Sequence, residues 1–349
     1  MLLDKRIDWF KLLKMRILFL RFGSIGNAMV AVPAIRAVRK EMPDAFLALL
    51  CNPETYDLWK DCPWLDQALT YDQKGRQKSL TGYFKMIAEL RKHNFTHSVH
   101  FRRLLRSELI GFLSGAKTRI GFDPGGFSLL TKKVPYREDQ PIVEQNLELV
   151  RQLGILAQDS RLEYWAPEPS EKLKSFFKDP SRLKVVISPF ARTWREKRWR
   201  RYPELAQSLI KKMNAEVVVA GARDELELAR QEFRGIVPED NFAFGLPIRE
   251  LAGLFKLADL FIGQDAGPVH LAVAVNVASI IIYSPAPDRN TIFEKWKPAG
   301  DKFLAVLPPQ DCRTCAQNPC SQGQLLECLE RIGVEDVLKR VSELNLRGG

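Results

Sequence analysis

Short apolar runs alternate with amphipathic stretches along the chain. In the first half, ILFLRF (17–22), FLALLC (46–51) and THSVHF (96–101) read as strands. Asn27 to Met42, Leu80 to His93 and Ile142 to Leu153 carry apolar residues at i, i+3 and i+4, which predicts helices. That order predicts a parallel sheet flanked by helices. Around Tyr164 to Ser170 the composition changes to the proline-broken stretch WAPEPS, which suits a linker. The alternation then restarts with the strands KVVISPF (184–190), AEVVVAG (215–221), ADLFIG (258–263) and ASIIIYS (278–284). Two successive βαβ domains, 1–165 and 166–349, are the expected organisation, and no tandem repeat or low-complexity segment competes with it. In open α/β sheets ligands bind beyond the carboxyl ends of the strands. The loops after Phe22, Pro189, Gly221 and Gly263 are therefore where chemistry is expected.

Composition narrows the class. The 349 residues, 46% hydrophobic and 27% charged, have material for two real cores. Fifty-three Lys plus Arg against forty-two Asp plus Glu leave a net charge of +11, so anionic partners are expected. No stretch approaches the ~18 apolar residues of a membrane span. The opening MLLDKRIDWFKLLKMR scatters charge where a signal peptide has an apolar core, so the protein reads as cytoplasmic. Leu2, Leu3, Trp9, Phe10 and Leu13 fall near one helical face, with Lys5, Lys11 and Lys14 largely elsewhere. Such a basic amphipathic segment suits peripheral contact with an anionic membrane, or docking on its own domain.

Four of the six cysteines, Cys312, Cys315, Cys320 and Cys328, have the spacing C-x2-C-x4-C-x7-C. They supply four soft ligands for tetrahedral zinc or iron, or else stay as packed thiols. A metal held by four thiolates would be structural, because no coordination position stays open.

Each strand-end loop holds candidate residues. Gly23 and Gly26 lie immediately before a helix, where small residues either make a plain tight turn or let backbone N–H groups approach an anion or a sugar. Positions 192 to 201 hold six basic residues (Arg192, Arg195, Lys197, Arg198, Arg200, Arg201) against one acid, Glu196. Between a strand and a helix, such a cluster meets a diphosphate with side-chain cations and the helix dipole, or else is a solvated basic face. Trp194 and Trp199 are placed to stack on a base or to pack. In GQDAGPVHLAVAV, Asp265 is typed as an N-cap, while the N–H groups of Ala266 and Gly267 and the His270 ring are placed to meet an anion. Asp224 or Glu225 opens the next helix and either accepts from ribose hydroxyls or caps.

From Met15 to about Val341 these loops resemble glycosyltransferase family nine, the ADP-heptose:lipopolysaccharide heptosyltransferases. RILFLRFGSIGNAMVAVPAI looks like the family's opening strand, S-x-G-D turn and LPAL helix. RWRRYPELA resembles the K-x-W-P-x-E box, and GARDELELA the G-x-x-x-E loop. GQDAGPVHLAVAV resembles the ND-S/T-G-P-x-HLA-A signature. RRLLRSELI, TRIGF and the cysteine segment also match family patterns. The resemblance implies the GT-B fold, two Rossmann-like domains facing a central cleft, with acceptor on the first and nucleotide-sugar on the second. It implies donor contacts from Ser188, Thr193, Lys197, Glu225, Asp265, Ala266, Gly267 and His270. Acceptor contacts are implied for Ser24, Gly26, Arg102, Arg103 and Arg106, the arginines meeting an anionic, lipid-linked glycan. Ala266 replaces the usual Ser/Thr and removes one hydroxyl donor. No cofactor is required for catalysis in this family, positive groups stabilising the leaving nucleotide.

The implied reaction is a single inverting displacement at the anomeric carbon. The family's base is the Asp of S-x-G-D, and the matching residue here is Asn27. An amide cannot accept the proton as a carboxylate does. Either another carboxylate substitutes, Asp123 of GFDPGG being the candidate, or catalysis leans on leaving-group stabilisation, or activity is lost. The competing reading is a catalytically silent member that binds nucleotide-sugar or glycan. A nicotinamide-dependent oxidoreductase lacks its G-x-G-x-x-G after the first strand, and nucleic-acid binding does not fit motifs concentrated in strand-end loops.

Overall fold

The computed structural model describes residues 15–191, 198–283, 289–308, 327–344 and 346, with backbone only for 289–292 and 327–328. The chain divides into an N-terminal domain, Met1–Ser160, and a C-terminal domain, Arg161–Gly349. This division falls ahead of the expected boundary at 165/166. Leu162 and Tyr164 donate their backbone N–H groups to Ala299 and Ala274, which ties the start of the WAPEPS stretch to the C-terminal domain.

The N-terminal domain is a six-stranded sheet in the order β3-β2-β1-β4-β5-β6. Its strands are β1 (Arg16–Arg21), β2 (Phe46–Cys51), β3 (Gln67–Thr70), β4 (His97–His100), β5 (Thr118–Phe122) and β6 (Lys132–Val134). Every pairing is parallel. β1 lies in the middle with Ile17, Leu18, Phe19 and Leu20 all buried, as a strand covered on both faces must be. The crossovers hold α1 (Ile25–Met29), α2 (Val32–Glu41), α3 (Pro53–Trp59), α4 (Leu80–Lys92), α5 (Leu105–Leu113) and α6 (Ile142–Arg151). The single helix expected from Asn27 to Met42 is two. Pro33 sits in the first turn of α2, where its missing N–H costs nothing, whereas inside one continuous helix it would break the ladder.

The C-terminal domain repeats the plan in the order β12-β11-β10-β7-β8-β9. Its strands are β7 (Leu183–Ser188), β8 (Ala215–Gly221), β9 (Phe242–Phe244), β10 (Leu260–Gln264), β11 (Ala278–Ile282) and β12 (Phe303–Val306). They too pair only in parallel. The helices are α7 (Glu171–Lys174), α8 (Tyr202–Met213), α9 (Leu226–Glu232), α10 (Ile248–Leu257), α11 (Gly267–Ala274), α12 (Arg289–Trp296), α13 (Glu327–Glu330) and α14 (Val334–Glu343). Val185, Ile187, Val217, Val219, Ile262 and Ile280 of the sheet pack with Trp199, Tyr202, Leu205 and Leu209 in one core.

In both domains the chain reverses its direction of travel across the sheet beside the first strand, between β1 and β4 and between β7 and β10. At such a switch point the loops of open α/β sheets diverge, and the crevice at the carboxyl edge is where they hold ligands. No described helix is long and apolar enough to cross a membrane.

Candidate functional site

The N-terminal crevice is organised by Arg21, the last residue of β1. Its side chain is 2% exposed. Nη1 donates to the Phe101 carbonyl at 2.9 Å, Nη2 donates to Asn27 Oδ1 at 3.0 Å, and Nε donates to the Asn27 carbonyl. Asn27 Nδ2 in turn donates to Ser24 Oγ at 3.1 Å. Burial pulls the guanidinium down to about 9, with the Arg102 cation adding to the effect and Tyr136 opposing it. Arg21 stays charged at neutral pH, and the oxygens that accept from it are carbonyls and an amide.

Gly23 makes the turn that brings Asn27 back over the strand end. Its φ is +130° and a Cβ there would lie 3.0 Å from Asn27 Nδ2, so only glycine fits. The Gly23 N–H donates to Asn52 Oδ1 at 2.9 Å, and Asn52 Nδ2 donates to Glu54 at 2.7 Å, which helps hold the Glu54 carboxyl below its usual range. Gly26 is buried in α1, and Ser24 is exposed at its start.

Across the crevice, exposed Arg102 and Arg103 follow β4, and exposed Arg106 lies in the first turn of α5. Arg103 lies 4.1 Å over the Tyr136 ring and pairs with Glu138 at 3.5 Å. The sheet thus brings Ser24, Gly26, Asn27 and the arginines to one edge. Asp123 follows β5, one strand beyond β4. Its Oδ1 accepts from the Gly125 N–H at 3.1 Å and faces Lys133 Nζ at 3.7 Å. No described hydrogen bond joins Asp123 to Asn27.

In the C-terminal crevice, Ser188 is buried at the end of β7. Thr193 and Lys197, with Trp194, lie outside the described residues. Beyond them Arg198 pairs with Glu232 and lies 4.8 Å over the Phe190 ring, so this member of the basic cluster is engaged within its own domain. Trp199 does not stack on a ligand. It is 0% exposed, donates from Nε1 to the Ile332 carbonyl at 3.0 Å and meets Tyr202 edge-on, because its indole fills the core beneath the loop. Its backbone N–H donates to Gln264 Oε1 at 3.0 Å, and Gln264 Nε2 donates to the Ile282 carbonyl at 3.1 Å. Buried Gln264 therefore fastens the basic loop to the end of β11.

Asp265 is not the N-cap of α11. The cap position belongs to Ala266, extended at φ −156° and without a side-chain cap bond, since the helix starts at Gly267, one residue later than a capping Asp265 requires. Burial pushes the Asp265 carboxyl up to about 6. His270, one turn into α11, is pulled down to about 4 by burial, and its Nδ1 has no described hydrogen-bond partner. In the first turn of α11, Pro268 offers no N–H and the Val269 N–H donates to the Ala266 carbonyl at 3.1 Å. Glu225 Oε2 accepts from the Ala222 N–H at 2.8 Å, the capping alternative, and Gly221 leaves room for it, since a Cβ there would lie 2.9 Å from that oxygen.

Cys312, Cys315 and Cys320 lie outside the described residues, and the Cys328 side chain is likewise outside them. Among the described residues no group of three or more His, Cys, Asp or Glu side chains is placed to hold a metal ion.

The sequence pattern did not single out Arg21, Asn52 or Gln264. The available signal was a polar residue ending or following an otherwise apolar strand, as in ILFLR, FLALLCN and LFIGQ.

A family model described as glycosyltransferase family 9 (heptosyltransferase) matches residues 83–326. Lipopolysaccharide heptosyltransferase 1 of Campylobacter coli is 23% identical over 351 residues, covering 95% of this chain and 99% of that protein. Among solved structures, the family 9 glycosyl transferase of Veillonella parvula DSM 2008 superposes with a TM-score of 0.80 at 17% identity, covering 95% of this chain and 97% of that one. The E. coli ADP-heptose LPS heptosyltransferase II gives 0.75 at 20% identity, covering 95% and 98%. The fold is that of these GT-B proteins.

Proposed function

The chain belongs to glycosyltransferase family 9, and from that premise we propose that it transfers a heptose from ADP-heptose to the core of lipopolysaccharide. The observation that carries this reading is the placement of Asn27 with Arg102 at one sheet switch point and of Ser188 with Asp265 to His270 at the other. In the proposed reaction an acceptor hydroxyl oxygen forms a bond to the anomeric carbon as the bond from that carbon to the diphosphate breaks. The hydroxyl proton goes to a base and ADP leaves with the electron pair. No electrons are exchanged with a redox partner, so the chemistry calls for no redox cofactor. Charge developing on the diphosphate is the quantity to be stabilised, and Thr193, Lys197, Gly267 and the start of α11 are assigned to it, with Ser188, Ala266 and His270 lining the sugar and phosphates and Glu225 on the ribose side. Ser24, Gly26, Arg102, Arg103 and Arg106 are assigned to an anionic, lipid-linked acceptor, which calls for peripheral contact with a membrane. Cys312, Cys315, Cys320 and Cys328 are assigned a structural zinc or iron, tested by metal analysis of the purified protein.

One observation favours a second reading. Both polar atoms of the Asn27 amide are committed, to Arg21 and to Ser24, and an amide takes no proton. Asp123 is the carboxylate assigned as base in the active reading. In the other, the protein binds nucleotide-sugar or glycan without turnover. The test is ADP release from ADP-heptose with and without purified lipopolysaccharide core, for the protein and for Asn27→Asp. Acceptor-dependent release by the unmodified chain, abolished in Asp123→Asn, supports transfer with a substitute base. Release only after Asn27→Asp supports the silent reading.

A further inference from the structure

The N-terminal domain carries an apolar surface that the proposed reaction does not use. On α4, Leu80 is 76% and Phe84 58% exposed, one turn apart. On α5, Leu105, Leu109 and Phe112 recur at i, i+4 and i+7, and all three are exposed. The two helices cover the same face of the sheet, because their inward residues Met86, Ile87, Leu90 and Ile110 share a core with Leu18, Leu20, Ala48 and Leu50, and they pack against each other.

A third element joins them. The loop between β5 and β6 projects Phe127, 78% exposed, after Gly125 and Gly126. Buried Glu108 of α5 holds that loop, its Oε2 accepting from Ser128 Oγ and from the Leu129 N–H, both at 2.8 Å. Arg119 donates to the Leu129 carbonyl and lies 5.4 Å over the Phe112 ring. Single exposed apolar residues are ordinary, whereas a group contributed by three linked elements marks an interaction surface.

Charge identifies the partner. The stretch from Gln73 to Met86 holds the exposed cations Lys74, Arg76, Lys78 and Lys85 and no acidic residue. Around α5, Arg102, Arg103, Arg106 and Lys117 are exposed, while the single acid from 101 to 117 is the buried Glu108. We infer that this face of α4, α5 and the Phe127 loop rests on an anionic phospholipid surface, its apolar side chains at the headgroup boundary and its cations at the phosphates. A second copy of the chain would bring the same cations face to face across a two-fold axis. The face begins where β3, β4 and β5 end, on the sheet edge that holds Asn27 and Arg102. The choice of lipid as partner rests on the reading of the acceptor as lipid-linked.

The test is co-sedimentation with vesicles of phosphatidylcholine plus phosphatidylglycerol and with phosphatidylcholine alone, for the protein and for Leu105→Gln/Phe127→Gln. Expected are pelleting with the anionic vesicles, release by high salt, and binding weakened about tenfold or more in the variant, with ADP binding unchanged. Equal pelleting of protein and variant, or equal pelleting with neutral vesicles, overturns the inference. So does a drop in solution mass in the variant, which would assign the face to a second copy, and so does loss of binding only in Leu3→Gln/Phe10→Gln, which would assign the contact to the first residues. Pelleting needs no turnover. Vesicle binding without transfer to a detergent-dispersed acceptor counts against the transferase reading alone, and the reverse counts against this surface alone.

Discussion

Arg21 donates from Nη2 to Asn27 Oδ1 at 3.0 Å, so a buried guanidinium and a neutral amide meet where an aspartate would form an ion pair. Asn27→Asp is expected to create that pair, the neighbouring cation holding the new carboxyl below its unfolded value of about 3.9. A carboxyl depressed by folding contributes stability that is present above the unfolded value and lost as pH falls through the folded one. The variant should therefore exceed the parent by roughly 1–3 kcal/mol at neutral pH, with the difference gone in strong acid. Urea midpoints of both proteins across that range read it directly. The same pairing makes the new carboxylate a weaker base, so gained stability and gained turnover need not go together.

Gly23→Ala probes the turn that seats Asn27. The added methyl would sit at φ +130° and within 3.2 Å of the Asn27 Cβ and Cγ. A side chain in that backbone region costs on the order of 1–3 kcal/mol, and relief requires Asn27 to move away from Ser24. Lower urea stability together with a changed Asn27 side-chain amide resonance is expected. A lower midpoint with that resonance unmoved would show strain absorbed elsewhere in the turn.

Much of this architecture is legible as hydrophobic pattern, and the misses have physical causes. ILFLRF and AEVVVAG announce buried strands because both faces of a parallel sheet are covered. β6 is only KKV at the sheet edge, two lysines and one valine, and β3 is uniformly half-buried, so neither stands out from a loop. The split between α1 and α2 follows from Pro33, which outweighs the apolar spacing around it. The glycine and charged motifs fall in strand-end loops, whereas side-chain direction is invisible in sequence. Trp199 turns into the core, and Asp265 misses the cap by one residue. Arg21 reads as the polar end of a strand although its charge is buried beside Asn27.

Ala266 occupies the cap position of α11 with a methyl that accepts nothing. Ala266→Ser places a hydroxyl where it accepts from a first-turn N–H, which is worth about 1 kcal/mol of stability. If that hydroxyl turns instead to the diphosphate, ADP binding tightens by a similar amount, roughly fivefold. Thermal unfolding with and without ADP separates the outcomes: a rise in the free protein marks the cap, and a rise confined to the complex marks the phosphate contact. No rise in either would mean that the extended backbone of Ala266 directs the oxygen away from both.

Asp265 and His270 give ADP binding a pH dependence of defined sign. Burial raises the Asp265 carboxyl to about 6 and lowers the His270 ring to about 4. Between those values His270 is neutral and Asp265 protonated, so this part of the crevice carries no negative charge. Above pH 6 Asp265 ionises and repels a diphosphate brought to the start of α11. Affinity for ADP should accordingly fall as pH rises from 5.5 to 7.5, and calorimetry should register proton uptake on binding near neutrality. Asp265→Asn is expected to flatten this profile, because the amide stays neutral throughout. For stability the sign is the same: a carboxyl raised by folding costs nothing below its unfolded value of about 3.9, and the cost grows as pH rises towards about 6 and is complete above it, so Asp265→Asn should also stabilise the free protein at pH 7.5. A steeper affinity profile in Asp265→Asn, or tighter binding with rising pH in the parent, would place the diphosphate away from this carboxyl.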